Sequence, residues 1–446
     1  MPSEEVAVNR KGIGLLTCFS LVTATMVGTG VYTTLGFELQ DLNSGFSILC
    51  LWALGGMISL CGALSYAELA ARIPGSGGEY TYLSRIYHPA LGFMAALVSV
   101  VAGFVIPIAL SSLAFGTYLH AAIPACPAKP SSLAVVILIS MGHLRSLRVS
   151  SAFQNTMTLL KFALLGVFLL VGFWSSAHHP DAHTALLPEP GALKELLRPS
   201  SGIALLFVLY AYSGWNAATY LAGEVRDPQR TVGLSLVLGT LAVTLLYLML
   251  NAVFLIAAPA ADLRGVLNVG SIAATHLLGS SGGRIMSGII ATGLLASISA
   301  LVWAGPRVMQ RVGEDYRRLG VLGRTTSGGI PNRALGLQLL AVLTLITLGS
   351  FESLLVFAEI PLLLCLILGV TGLLIERNKD KGSMGKGGEG GFQCPLYPLP
   401  PLVFILCAGS GLLYSAICKP WIALAGVAIT LLPLTLYGWI SRQKTP

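Results

Sequence analysis

Long apolar segments recur from one end of this chain to the other, at 12–37, 45–71, 88–120, 131–143, 153–174, 202–222, 232–258, 285–310, 334–350, 353–375, 397–418 and 420–440. A transmembrane helix needs roughly 20 mainly apolar residues, so the pattern predicts an all-α polytopic membrane protein with twelve spans, the fourth short. The longest polar stretches, 175–201, 259–284, 311–333 and 376–396, are loop-sized and leave no room for a separate soluble domain. Only 10% of the residues are charged, against about 25% in an ordinary soluble domain. A globular enzyme is excluded on that ground. The stretch Met1–Lys11 is polar, and the apolar segment behind it is too long for the core of a signal peptide, so no cleavable leader is read.

The net charge of +8 would suit a nucleic-acid partner, but its distribution says otherwise. With the N-terminus inside, 20 of the 27 basic residues fall in cytoplasmic segments, among them Arg10, Arg72, Arg145, Arg226, Arg311 and Arg377. Six fall in outer loops, and Lys161 lies within a span. This asymmetry orients the chain with both termini in the cytoplasm of a cell whose plasma membrane it crosses. The eight cysteines are scattered without metal-ligand spacing, so neither a metal nor a cofactor is expected. Cys126, in the short loop "AIPACPAKP", is the one that a partner could reach.

Two spans are interrupted by small residues. The first carries "TATMVGTGVYTTLG" (23–36), with Gly28 and Gly30 flanking Thr29, and the sixth carries "AYSGWN" (211–216). Paired interruptions, one in each half of a chain, point to inverted repeats with a substrate site at the bilayer midplane. Unwinding frees backbone groups that lipid cannot satisfy. The amides at the head of the continuing half-helix suit a carboxylate, and the carbonyls ending the preceding half-helix suit an ammonium. Together they describe a receptor for an α-amino acid zwitterion that uses no charged side chain. Close helix packing through small residues is the alternative reading of either interruption taken singly.

At these positions the chain resembles the amino acid–polyamine–organocation superfamily, most of all its L-type amino acid transporter branch. "MVGTGVY" resembles that superfamily's first-helix signature, with Thr29 and Tyr32 as departures, and "AYSGWNAATYLAGEVRDPQRTV" (211–232) resembles the sixth helix and following loop of the L-type branch. "ELAARIPGSGGEYTYLSRIY" (68–87) resembles the second helix and re-entrant loop. The resemblance implies a LeuT-type five-plus-five inverted repeat, with 12–174 as the first repeat (helix 1 broken at 27–30), 202–375 as the second (helix 6 broken at 212–216), and 397–440 as two further helices. It also implies sodium-independent transport of small neutral α-amino acids by alternating access, as an exchanger or a proton-coupled permease.

Carried over by position, Gly28, Thr29 and Gly30 would bind the substrate carboxylate. Carbonyls near Thr25, Met26, Tyr210 and Ala211 would bind the ammonium, with Ser213 and Asn216 near the substrate and Tyr210 as an aromatic gate. Lys161 takes the place that a sodium ion holds in other members, and its ammonium is expected on carbonyls around Val22 to Thr25. L-type members join a glycoprotein through a cysteine in the loop that holds Cys126; the compact loops favour an unpaired chain here.

Glu68, Glu79 and Glu359 are gating or proton-coupling candidates, each with a purely structural alternative. Trp215 is read as substrate contact or core packing, and His143, His178, His179 and His183 as solvated. "GSGG" (75–78) lacks the strand and the Lys-Ser/Thr of a phosphate loop. An amino-acid sensor on the same fold, a polyamine or cationic amino acid permease, and a channel remain as other classes. No convergent catalytic set supports an enzyme.

Overall fold

A computed structural model describes residues 12–144, 147–178, 186–188, 190–266, 268–326, 329–348, 351–382, 391–418 and 420–441. Its helices are α1 (Leu15–Met26), α2 (Gly30–Asp41), α3 (Gly45–Arg72), α4 (Glu79–Ile86), α5 (Pro89–Val98), α6 (Ile106–Ala122), α7 (Ala128–His143), α8 (Leu147–His178) and α9 (Ala192–Leu196). They continue as α10 (Pro199–Ala211), α11 (Pro228–Ala257), α12 (Ala260–Leu263), α13 (Val269–Asp315), α14 (Asn332–Leu348), α15 (Phe351–Gly382), α16 (Leu399–Cys418) and α17 (Pro420–Ile440). An isolated bridge pairs Ile13 with Val225. The protein is a nearly all-helical, polytopic membrane fold.

Among the described residues, eight helical stretches are long and apolar enough to cross a membrane: 15–41, 45–72, 89–122, 150–175, 228–257, 269–315, 360–379 and 423–440. Two shorter apolar helices, 332–348 and 399–414, accompany them. Helices α1 and α2 together make the first of these stretches, and α5 joins α6 through a π-helical turn at Ser99–Val105. Helix α13 is longer than the segment expected at 285–310, because a preceding helix runs into it across a kink at Gly279, where φ is +72°. Only glycine takes that conformation without strain.

A bundle forms at the first interruption, where α1 packs on α8, α11 and α13, and α3 packs on α11. Its core is aromatic as well as aliphatic: Trp52, Tyr212 and Tyr247 lie mutually edge-on or tilted, with ring centroids 4.9–5.8 Å apart. On one face a cavity of about 850 Å³ opens between Gly12, Ser76, Arg85, Glu224, Arg226 and Arg311. The bridge between Ile13 and Val225 lies against it, with Ile13 N donating to Glu224 O at 2.9 Å and Arg226 N to Ile13 O at 3.0 Å.

Candidate functional site

The first span stops being helical at Met26 and resumes at Gly30. The sixth stops at Ala211, turns through Gly214 at φ +97°, and resumes as a 3₁₀ helix over Ala217–Glu224. These two turns abut. A Cβ on Gly30 would lie 2.7 Å from both Cα and Cβ of Ala211, and one on Gly214 would lie 3.1 Å from Thr25 C. Glycine at both positions therefore lets two backbones touch. Thr25 Oγ1 lies 3.0 Å from Gly214 O while also bonding back to Leu21 O and Val22 O. Tyr247, from α11, places its hydroxyl 2.6 Å from Met26 O and 3.0 Å from Ala211 O, so one side chain spans the carbonyl ends of both half-helices.

Gly28 differs from its neighbours, since a Cβ there would meet nothing within 4 Å. Its amide turns back to Met26 O at 2.8 Å. Beside it, α2 begins at Gly30 with buried Thr29 as its N-cap, and the threonine side chain makes no capping bond. The first amides of a helix lack intrahelical acceptors, so a buried, uncapped helix start faces open space. That is the geometry an anion fills.

Lys161 is 1% exposed in α8. Its Nζ donates to Val27 O at 2.7 Å and to Ser297 Oγ at 2.8 Å, and its methylenes pass Gly293, so it ties the first interruption to α13. The acceptor lies beyond the expected stretch from Val22 to Thr25. The last helical bond of α1 is Val27 N to Thr23 O, and the carbonyl that meets the ammonium is the one just past that helix end.

Of the other expected carbonyls, Tyr210 O accepts Ser213 N at 2.9 Å and Ala211 O accepts Tyr247 Oη, so each keeps one lone pair; Met26 O already accepts both Gly28 N and Tyr247 Oη. Tyr210 and Ser213 line a cavity of about 30 Å³ with Ser59, Leu363 and Phe404. Asn216 points away from this cavity, its Nδ2 donating to Glu79 Oε1. Glu79 also accepts from Tyr220 Oη, so the start of α4 is joined to the second half of the sixth span by a buried polar network. Trp215 is packed edge-on between Tyr66 and Phe404, at 5.0 and 5.8 Å.

Glu68 is clamped at the end of α3 by Arg72 Nε at 2.7 Å, Arg377 Nε at 2.7 Å and Cys394 N at 2.8 Å. The side chain of Glu359 lies outside the described residues, as do His179 and His183 and the side chain of His178. His143 requires a correction: it is 5% exposed, bonded to Ser150 Oγ at 2.8 Å and Ser299 Oγ at 3.0 Å, and stacked on Trp303. It closes α7 onto α13 instead of meeting water. Sequence reasoning also missed Tyr247, Ser297, Tyr220 and the pair of Arg307 Nε with Glu224 Oε1 at 2.9 Å. A clue to Ser297 was the run "ASISA" (296–300), small and polar within an apolar span.

The sequence profile of the amino acid permease family matches residues 13–435. The chain belongs to this family. It is 26% identical over 409 residues to the serine/threonine exchanger SteT of Bacillus subtilis (strain 168), covering 90% of each chain. It is 26% identical over 460 residues to the Asc-type amino acid transporter 1 of Mus musculus, covering 99% of this chain and 84% of that one. The b(0,+)-type amino acid transporter 1 of Homo sapiens matches at 27% over 260 residues, 57% of this chain and 53% of that one. This permease is accordingly an amino acid transporter of the superfamily that its motifs resembled, and not an enzyme.

Proposed function

We propose that this permease is a sodium-independent secondary transporter of small neutral α-amino acids, crossing the plasma membrane twelve times with both termini in the cytoplasm. The observation that carries the reading is the contact of the two helix interruptions around Gly28, held by Thr25, Gly30, Ala211 and Tyr247. The substrate carboxylate sits on the amides of Thr29 and Gly30 beside Gly28. Its ammonium takes the remaining lone pairs of Ala211 O and Tyr210 O, with Thr25 alongside. Tyr210 and Ser213 lie toward the substrate side chain. Lys161 supplies fixed positive charge at Val27 O and Ser297 Oγ, where a bound sodium ion would otherwise be needed. Residues 12–174 and 202–375 form the two inverted repeats, and rocking of one against the other exposes the site alternately.

Transport in this scheme is a population shift: substrate drives the interconversion only by binding the two states differently. Glu79 gates from the cytoplasmic side, joining α4 to the sixth span through Asn216 and Tyr220. Glu224 and Arg307 tie that span to α13 across the basic cavity. The name of the serine/threonine exchanger SteT supports exchange of small amino acids by this chain as well, and that of the Asc-type transporter supports amino acid transport. The short loop around Cys126 supports a chain that works without a glycoprotein partner.

Uptake of labelled serine, alanine and lysine into liposomes, with internal unlabelled amino acid and sodium varied separately, tests the reading. Uptake of the neutral substrates without sodium is expected, and no uptake under any condition overturns it. Lys161→Ala removes two charge-assisted hydrogen bonds, each worth about 1.5–3 kcal/mol, so exchange is expected to fall by more than about tenfold, one factor of ten per 1.4 kcal/mol. An undiminished rate, or strict sodium dependence of the unaltered protein, removes Lys161 from the mechanism.

A further inference from the structure

Glu38 lies one turn before the exposed end of α2 at Asp41, yet it is only 1% exposed. Its Oε2 accepts from Trp52 Nε1 at 3.0 Å, whereas Oε1 is buried with no hydrogen-bond partner. Among the described residues no Lys, Arg or His forms an ion pair with it. The ring of Trp52 stands against Tyr212 and Tyr247, so the groups closing around this carboxyl are aromatic.

The ionisable groups on the surrounding elements are few and otherwise engaged. Tyr247 of α11 holds the carbonyls of both interruptions, and Tyr212, after α10, donates to Trp52 O. Arg264, after α12, donates to Asn43 Oδ1 at 2.9 Å, and Asp262 pairs with His276 of α13 at 3.0 Å. Arg284 reaches Ala122 O, and Glu195 accepts from the amides of Asn43 and Ser44. None of these supplies the charge that an ionised, half-bonded carboxylate needs inside a membrane protein. A neutral carboxylic acid there leaves one O–H donor unmet and no charge, which costs far less. In water the same group is ionised near neutral pH.

We propose that Glu38 is a proton-binding site of the outer gate, taking a proton from the external solution as α2 closes against Trp52 and Tyr212 and returning it to that solution on opening. This rests on the transport reading above and deepens it by naming what biases the outer gate. The acid form belongs to the closed gate and the carboxylate to the open one, so external acid favours closure over bound substrate. The proton enters and leaves on the same side. External pH therefore governs the rate while internal pH does not, and no net proton flux accompanies exchange.

The experiment is exchange of labelled serine in oriented liposomes, with external pH varied from about 8 to about 5.5, across the carboxylate range, at fixed internal pH. The unaltered protein is expected to speed up by about fivefold or more, the lower end of ordinary coupling between two sites. Glu38→Gln, neutral at every pH, is expected to be flat. Trp52→Phe removes the one bond that favours the carboxylate, so it is expected to keep the response with its midpoint moved to higher pH. Exchange indifferent to external pH overturns the proton site alone, as does a Glu38→Gln protein that keeps the full response or a Trp52→Phe midpoint that does not move. Absence of exchange in the unaltered protein overturns the transport reading and the proton site with it. Should Glu38→Gln fail to accumulate, Trp52→Phe decides.

Discussion

Gly28 and Gly30 sit two residues apart in the same interruption and answer to opposite constraints. At Gly30 an added methyl would lie 2.7 Å from Ala211, a contact that backbone must relieve. Overpacking of this kind costs about 1–3 kcal/mol. At Gly28 the same methyl meets no atom, and the backbone is in an ordinary conformation. Gly30→Ala is therefore expected to lower thermal stability in detergent and to abolish transport. Gly28→Ala should leave the melting temperature unchanged while raising the substrate KM, by about tenfold for the loss of about 1.4 kcal/mol of binding. Equal loss of stability in both variants would mean that the space beside Gly28 is packing slack and not a ligand site. The pair separates fold from function within a single turn of chain.

At the scale of elements, the sixth span is held at both of its halves. Its first half ends on Tyr247, and its second is joined to α4 by the acceptors of Glu79. The carboxylate takes one hydrogen from Asn216 and one from Tyr220, and a glutamine has only one acceptor oxygen to offer. Glu79→Gln thus leaves a buried donor unmet at about 1–3 kcal/mol. If α4 moves with the sixth span during transport, exchange is expected to fall about tenfold while substrate binding to the detergent-solubilised protein is retained. Loss of both together would make Glu79 a folding residue only. These ties also set what the sequence could reveal. Glycines in an apolar span signal weakness through local chemistry, so the interruptions could be placed from the residues around them. Tyr247 carries no such mark: one tyrosine in the 30-residue α11 becomes functional only because packing carries it to two carbonyls of distant segments. The buried ammonium of Lys161 was conspicuous, but its acceptor depended on where α1 stops bonding, a matter of one turn. Glu38 was passed over because its isolation from positive charge is visible only once α3 and α10 are in place.

Over the whole molecule, charge and cavity occupy the same face. Arg85, Arg226, Arg307 and Arg311 border the cavity of about 850 Å³, and Glu68, with Arg72 and Arg377, locks α3 to α15 and to the backbone at Cys394. If that face is cytoplasmic, as the basic residues require, then Thr325, which lines the same cavity, faces the cytosol. On that orientation Cys126, free and partly exposed in the turn between α6 and α7, faces outward. The remaining described free thiols are buried or lie in apolar helices, where a polar reagent finds little thiolate. In a Cys418→Ser background, intact cells treated with a membrane-impermeant maleimide are therefore expected to label the protein at Cys126, and adding Cys126→Ser should abolish the signal. In that background Thr325→Cys is expected to react only after the membrane is permeabilised. Labelling of both positions from the same side would break the link between charge asymmetry and orientation. It would also place the basic cavity, and with it the Glu79 gate, on the same side of the membrane as Glu38.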